Sequence, residues 1–375
     1  MPEHKVLLIS HGYEAIYERG FCNGVIQAGQ TFTLVSSDRS DTAGLDPRIV
    51  CCNLRGSQEE SRPRWLKGLN LLTYHCRLMF KVVRERPVVH LFGLLHPAWL
   101  CGVLEGLLFR VFARRYIVTA HDLLPHDRHT RWARWLFGLS YRLAHRVVVH
   151  TPRMAADLVR IHRVDARRIV VMEHGLEPLA TLSPTVPDRP VAPGAPLRVL
   201  FFGKVMRYKG VDLLLQALAD FPLPFSLVVA GGCWEPALVA ELRAAMAAHP
   251  QAGSISWGGQ YVPEPEIPVL FQQADLVVLP YRHIDQSGIL FQALRYGVPV
   301  VASRVGSFEH YVSSEVGETF DKDDAAGLRQ ALLRLAARRG ELTHAQLRAV
   351  ARRYEWPITA AALLPVYRLQ DGLPP

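Results

Sequence analysis

Residues 198–218 read RVLFFGKVMRYKGVDLLLQAL, and the order of their parts decides the fold. VLFF is a short run, apolar throughout, as in a strand covered on both faces, whereas the run opening at Val211 repeats apolar residues at helical spacing. Between them lies Gly203-Lys204-Val205-Met206-Arg207-Tyr208-Lys209-Gly210. Strand, glycine-opened loop and helix form one step of a doubly wound sheet, a fold that binds ligands at the carboxyl ends of its strands. Gly203 permits close backbone approach, Lys204 and Lys209 bring two cations, and a helix N-terminus favours an anion. A diphosphate suits that chemistry; a solvated basic turn would carry the same two lysines.

The alternation extends both ways from this stretch. Downstream, SLVVAGG, SISWGG, LVVLPY and PVVASRV read as strands, and ELRAAMAAHP, PVLFQQA and ILFQALRYG as helices. Upstream, KVLLIS, TFTLVSS, RIVCCNL, VVHLFG, YIVTAHD, RVVVHT and IVVMEHG are further strands, most separated by helix-compatible segments. A proline-rich stretch at about residues 176–197 punctuates the two series and reads as a linker. The expected architecture is α/β: a Rossmann-like N-terminal domain over 1–190 and a second over 191–355, facing it across a cleft. PITAAALLPVYRLQ, within 356–375, is predicted to be a helix that crosses back to the first domain.

Composition supports two ordinary globular cores: 375 residues, 49% hydrophobic and 21% charged, which excludes a disordered or fibrous chain. Six cysteines show neither a CxxC pair nor regular spacing, so a reducing, cytoplasmic setting is expected, without zinc knuckle or disulfide framework. The N-terminal run VLLI has the length of a strand and not of a signal peptide. Residues 87–104 carry no charge, but His90, Gly93, His96, Pro97 and Gly102 interrupt them, so they read as a strand followed by a buried helix. The net charge of +9 is lopsided: residues 1–190 hold 26 Lys and Arg against 17 Asp and Glu, and residues 191–375 hold 17 of each. A nucleic-acid-binding module is the alternative that a pI near 9.4 raises; no zinc-finger, RNP or helix-turn-helix signature accompanies it.

A second loop, Arg282 to Gly288, precedes the helical run ILFQALRYG. Ser287 and Gly288 open that helix, where their amides and the serine hydroxyl can either serve a phosphate or sugar, or simply cap the helix. Taken in order, FFGKVMRYKGVDLLLQAL, LVVAGG, GGQYVPEPEIPVLFQQADLVVLP and SGILFQALRYGVPVVAS, with TAHDLLPHD, RVVVHTPRM and RIVVMEHG before them, resemble the retaining family 4 glycosyltransferases of the GT-B fold. The resemblance covers about residues 85–365.

It implies that Lys204 and Lys209 grip the diphosphate of a nucleoside-diphosphate sugar, with Gly203 beside them, and that the loop holding Tyr261 and Val262 receives the base. Ser287 and Gly288 fall in the donor loop. The family's pair of glutamates is replaced here by Ile284 and Gln292; Gln292 keeps a hydrogen bond without a charge, and Asp285 could stand in for the first by a one-residue shift. His121 falls where a histidine lies beside the transferred sugar, with Asp122 next to it as a cap or acceptor-side residue, and Gly12 represents the first-strand loop. No metal is implied, and no cofactor beyond the donor sugar. The implied reaction moves a hexose to a hydroxyl of a lipid-linked or polysaccharide precursor with retention. A silent scaffold binding a sugar or partner, and a nucleotide-sugar epimerase, use the same frame.

The charge excess gathers in SRPRWLKGLNLLTYHCRLMFKVVRERP, residues 61–87. Basic and apolar residues interleaved at helical spacing can lie on an anionic bilayer, placing the protein on the inner face of a membrane, or can form a core-facing helix with a solvated basic face.

Overall fold

The computed structural model describes residues 5–10, 15–38, 40, 42, 44–57, 59, 63–93, 100–121, 123, 131–176, 194–284 and 287–372. The chain divides into two compact units, one formed by 1–177 with 354–375 and the other by 178–353.

In the first unit the elements run β1 (Val6–Ile9), α1 (Ala15–Gln27), β2 (Thr33–Ser36), β3 (Val50–Asn53), α2 (Arg64–Glu85), β4 (Val88–Leu91), α3 (Leu100–Phe112), β5 (Arg115–Thr119), α4 (Arg131–Leu143), β6 (Arg146–Val149), α5 (Pro152–His162) and β7 (Ile169–Val171). All seven strands pair in parallel in the order β3-β2-β1-β4-β5-β6-β7. Every residue of β1, β4, β5 and β6 is buried, as apolar runs without alternation require. One face carries α2 to α5 on a core built around Leu78, Phe109, Phe137 and Leu158. The other carries α1 and the C-terminal segment around Phe21, Trp356 and Tyr367.

The second unit contains β8 (Leu197–Phe202), α6 (Val211–Ala219), β9 (Phe225–Ala230), α7 (Pro236–Ala247), β10 (Ile255–Trp257), α8 (Ile267–Gln273), β11 (Leu276–Leu279), α9 (Gly288–Tyr296), β12 (Val300–Ser303), α10 (Phe308–Tyr311), β13 (Gly317–Phe320), α11 (Ala325–Ala337) and α12 (His344–Arg352). Its six strands are again parallel, in the order β10-β9-β8-β11-β12-β13. In both sheets the strand order reverses beside the first strand, and at such a switch point the loops at the carboxyl edge diverge and leave room for a ligand. That puts the loops after β8 and β11 on either side of the opening in the second sheet.

Two sequence expectations about where elements form need correction. β13 was missed, because GETF is short, contains Glu318 and has only two buried residues, so it lacks the apolar run that marks the other strands. The C-terminal segment is not one helix: α13 (Trp356–Ala360) passes through a 3-10 turn at Ala361–Leu363 into α14 (Leu364–Tyr367), and Pro365 restarts the winding. That segment still returns to the first unit. The Trp356 amide donates to the Leu176 carbonyl at 2.9 Å, and Asp371 pairs with the buried Arg115 at 2.8 Å and Arg146 at 2.5 Å.

Candidate functional site

Glycine chemistry shapes the loop after β8. Gly203 (φ 107°) donates to the Ala230 carbonyl at 2.9 Å, and the Val205 amide donates to the Gly232 carbonyl at 2.8 Å, so the first residues of the loop keep the register of β9. A Cβ on Gly231 would run into the Gly203 carbonyl. After the single 3-10 turn Arg207–Lys209, Gly210 (φ 70°) turns the chain into α6; a Cβ there would strike the Pro280 carbonyl. Gly231 is needed for closeness, and Gly210 for closeness as well as for left-handed backbone.

Two arginines of the region are committed to structure. Arg282 pairs with Asp212 at 2.7 Å and Asp323 at 2.8 Å and donates to the Arg207 carbonyl at 2.7 Å, tying the loop after β11 to the loop after β8. Arg207 pairs with Glu241 at 3.0 Å. Lys204 and Lys209 differ: among the described residues neither makes an ion pair. The Lys204 ammonium lies 5.0 Å from the centre of the Trp234 ring, and the Lys209 ammonium 5.2 Å from that of the buried Tyr281. A Cβ on Gly203 would sit 3.4 Å from the Lys209 Nζ and 3.4 Å from Ile289 in the first turn of α9, so cation, glycine and helix start converge. Burial, with Lys204 adding repulsion, pulls Lys209 from the ordinary 10.5 to about 8. A half-buried cation without a counter-ion among the described residues calls for an anionic guest.

Ser287 is buried at the N-cap of α9, yet its side chain makes no capping bond, which leaves the N-terminal amides of α9 without a side-chain acceptor from that residue. Nothing would meet a Cβ on Gly288, so that residue borders open space. Within α9, the Gln292 Oε1 is buried and has no hydrogen-bond partner among the described residues. Tyr261 is exposed and Val262 half-buried, and the Tyr261 amide would lie 3.3 Å from a Cβ on Gly232, so the loop after β10 closes on the loop after β9. Asp285 lies outside the described residues. Sequence reasoning missed Trp234, Tyr281 and Gly231; of these, only the paired glycine in LVVAGG was a usable signal. A 460 Å³ cavity at the opposite, amino-terminal edge of this sheet is lined by Arg198, Asp275, Arg338 and Arg339 among others, whose charges are already paired within the protein.

The first unit presents a histidine cluster at its own carboxyl edge. His121 follows β5, His150 follows β6 and His174 follows β7, while His90 lies within β4. His150 Nε2 is 3.3 Å from His121 Nδ1, and His150 Nδ1 is 3.0 Å from the Met172 carbonyl oxygen. Tyr17 meets His121 edge-on at 4.5 Å between ring centres, and Trp356 lies 5.2 Å from His174. Burial first, and neighbouring imidazoles second, pull His121 to about 4 and His90 to about 3; burial takes His174 to about 4 against a hydrogen bond to the Gly175 carbonyl. All three rings are therefore neutral at pH 7. Of this cluster the sequence singled out only His121; the recurrence of a histidine at strand ends in VVH, VTAH, VVVH and VMEH was the missed signal. Gly12 and Asp122 lie outside the described residues. Among the described residues no group of three or more His, Cys, Asp or Glu side chains is placed to hold a metal ion.

A doubly wound nucleotide-type sheet with paired cations at its switch point, joined to a second such sheet, defines a class, and comparison with known proteins supplies the family. The family model described as Glycosyltransferase Family 4 matches residues 18–178, and that described as Glycosyl transferases group 1 matches residues 196–338. The chain belongs to the family 4, GT-B-like glycosyltransferases. It is 35% identical over 239 residues to a D-inositol 3-phosphate glycosyltransferase of Xylanimonas cellulosilytica, covering 59% of this chain and 56% of that protein. It is 30% identical over 209 residues to the GDP-mannose:glycolipid 4-beta-D-mannosyltransferase of Xanthomonas campestris pv. campestris, covering 54% of each. The match thus spans about half the length of these curated relatives. Among solved structures, a sucrose-phosphate synthase from Thermosynechococcus elongatus superposes with a TM-score of 0.72 at 18% identity over 98% of both chains. Anabaena Alr3699/HepE in complex with UDP gives 0.70 at 16% identity, covering 97% of this chain and 98% of that one. These two likenesses concern the fold.

Proposed function

We propose that this protein transfers a hexosyl group from a nucleoside-diphosphate sugar to a hydroxyl acceptor with retention of anomeric configuration. The observation that carries the proposal is the pair of cations without ion-pair partners among the described residues, Lys204 and Lys209, beside Gly203 and the start of α9. In the reaction the bond from the anomeric carbon to the β-phosphate oxygen breaks and its electron pair stays on the phosphate. Lys204, Lys209 and the amides of α9 stabilise that growing charge. The acceptor oxygen forms the new bond on the same face and gives its proton to the departing phosphate. Ser287 and Gln292 hold the donor, the latter through its unpartnered Oε1, Tyr261 and Val262 border the base, and His121 in the first unit meets the sugar. Asp285, Asp122 and Gly12 remain candidates on the same reading.

Titrating the purified protein with UDP, GDP and ADP, then assaying the matching sugar donors for transfer, tests this. Binding of one nucleotide series and glycosylation of an added acceptor are expected; no affinity for any nucleoside diphosphate would refute it. Ile284 and Gln292, in place of two carboxylates, favour a second reading: a scaffold that binds a nucleotide sugar without turnover. Measured transfer or hydrolysis separates the two.

For the acceptor we infer a lipid-linked substrate met at an anionic membrane surface. The layer of α2, α3 and α4 leaves large apolar side chains on its outer side, including Trp65 (71% exposed), Phe80 (68%), Val111 (58%) and Trp132 (62%). The sequence reading of α3 as a buried helix holds for one face only: Phe109 faces the core while Leu104, Leu107 and Val111 face out. The two acidic residues of these helices are engaged, Glu85 by Lys81 at 2.9 Å and Glu105 by His75 at 3.5 Å, so the exposed charge is basic. Among the described residues no helix is long and apolar enough to cross a membrane. Co-sedimentation with anionic vesicles that fades as salt rises is expected; no binding at low salt would remove the membrane from the proposal.

A further inference from the structure

The hydrogen bonds around His150 decide which nitrogen of His121 is left for a ligand. A carbonyl oxygen only accepts, so the His150 Nδ1 at 3.0 Å from the Met172 carbonyl carries the hydrogen. A neutral imidazole has one N–H, which leaves the His150 Nε2 as a lone pair. The His121 Nδ1, 3.3 Å away, must then be the donor of the contact between the two rings. The neutral His121 ring consequently ends in a bare Nε2. Burial holds both rings neutral: His150 is fully buried, and its affinity for a proton lies well below that of an ordinary histidine. Tyr17 packs edge-on against both rings, at 4.5 Å and 5.7 Å, and Gly93 borders the Cδ2 side of His121, where an added Cβ would come within 3.6 Å.

We infer that His150 is a positioning residue: through the relay from the Met172 carbonyl it locks His121 as the Nδ1–H tautomer, so that His121 meets its ligand as a hydrogen-bond acceptor for a hydroxyl. The identity of that hydroxyl, on the donor sugar or the acceptor, rests on the glycosyl-transfer reading; the tautomer does not. A lone pair at the open end of the ring also gives that end its negative pole, the sign that favours positive charge gathering on an anomeric carbon as a diphosphate departs. The opposite tautomer would present an N–H and oppose it.

The test is a long-range proton–nitrogen correlation spectrum of the full chain labelled with nitrogen-15, read at pH 7 without ligand. In the wild type His121 should show a protonated Nδ1 and a bare Nε2; a protonated Nε2 would overturn the inference whatever the protein catalyses. His150→Phe removes the acceptor, so the His121 pattern should become mixed, and kcat should fall about tenfold with the donor KM little changed. His150→Gln, whose amide oxygen can replace Nε2, should restore the pattern and most of kcat. An unchanged His121 tautomer in the folded Phe variant refutes the relay. If that variant does not fold, the wild-type and Gln spectra decide. If no nucleotide sugar is turned over, the spectra still decide the tautomer, and only the glycosyl-transfer reading falls.

Discussion

Lys209→Met keeps most of the length of the side chain and removes its charge, and its two effects should run in opposite directions. Burial and the neighbouring Lys204 pull the Lys209 ammonium from 10.5 to about 8. Its folded value lies below its unfolded one, so below pH 8 the folded protein bears the full cost of the buried charge; that cost fades as pH rises from about 8 to 10.5. At about 1.4 kcal/mol per pH decade the cost is at most ~3.5 kcal/mol. The methionine variant should therefore unfold at higher denaturant than the wild type at pH 7, by up to ~3.5 kcal/mol, with the gap closing towards pH 10.5. Binding moves the other way. Loss of a charge-assisted contact should weaken nucleoside-diphosphate affinity ten- to a hundredfold and, with ~3 kcal/mol of transition-state stabilisation gone, lower transfer about a hundredfold. Calorimetry adds a signature: diphosphate binding at pH 8.5 should take up a proton in the wild type and not in the variant. A variant that is less stable, binds nucleotide as well as the wild type and shows the same proton uptake would refute the reasoning.

Three further outcomes are expected. Gln292→Leu removes a buried, unpartnered acceptor, so it should not destabilise the fold, yet it should weaken a nucleotide sugar about tenfold more than the parent nucleotide in competition binding. Gly210→Ala forces a Cβ into left-handed backbone against the Pro280 carbonyl and should cost ~2 kcal/mol or more by chemical denaturation, with donor binding lost as the loop moves. The neutral histidines at 90, 121 and 174 take up protons more readily when unfolded. The first unit should therefore lose stability as pH falls from about 6.5 to 4, as seen in unfolding midpoints across that range, and His174→Gln should make the slope shallower.

Much of the second unit was legible because its chemistry is local. Gly203, Lys204, Lys209 and Gly210 lie within eight residues of one strand and one helix, so the strand-to-helix step fixes where they sit without knowledge of distant partners. β13 was not legible, since GETF becomes a strand through its pairing with β12 and not through its own pattern. The histidine cluster was lost for the same reason: His90, His121, His150 and His174 are spread over 85 positions and meet only because parallel strands bring their carboxyl ends to one edge. Nor could the sequence distinguish Arg282 from Lys209. Both sit in basic loops, but Arg282 is held by Asp212 and Asp323, which approach from elsewhere in the chain.

The second unit is an uninterrupted insertion, whereas the first is completed only by residues 354–375. During synthesis the seven strands of the first sheet emerge early, but Trp356, Tyr367 and Asp371, which cover Phe21, His90 and Arg115, leave the ribosome only after the whole second unit. The nascent N-terminal half must wait, part-built and with one core open, while the inserted half has all it needs to fold. Truncation before residue 354 would strand an exposed apolar sheet face, a substrate for chaperones or proteases, beside a finished neighbour.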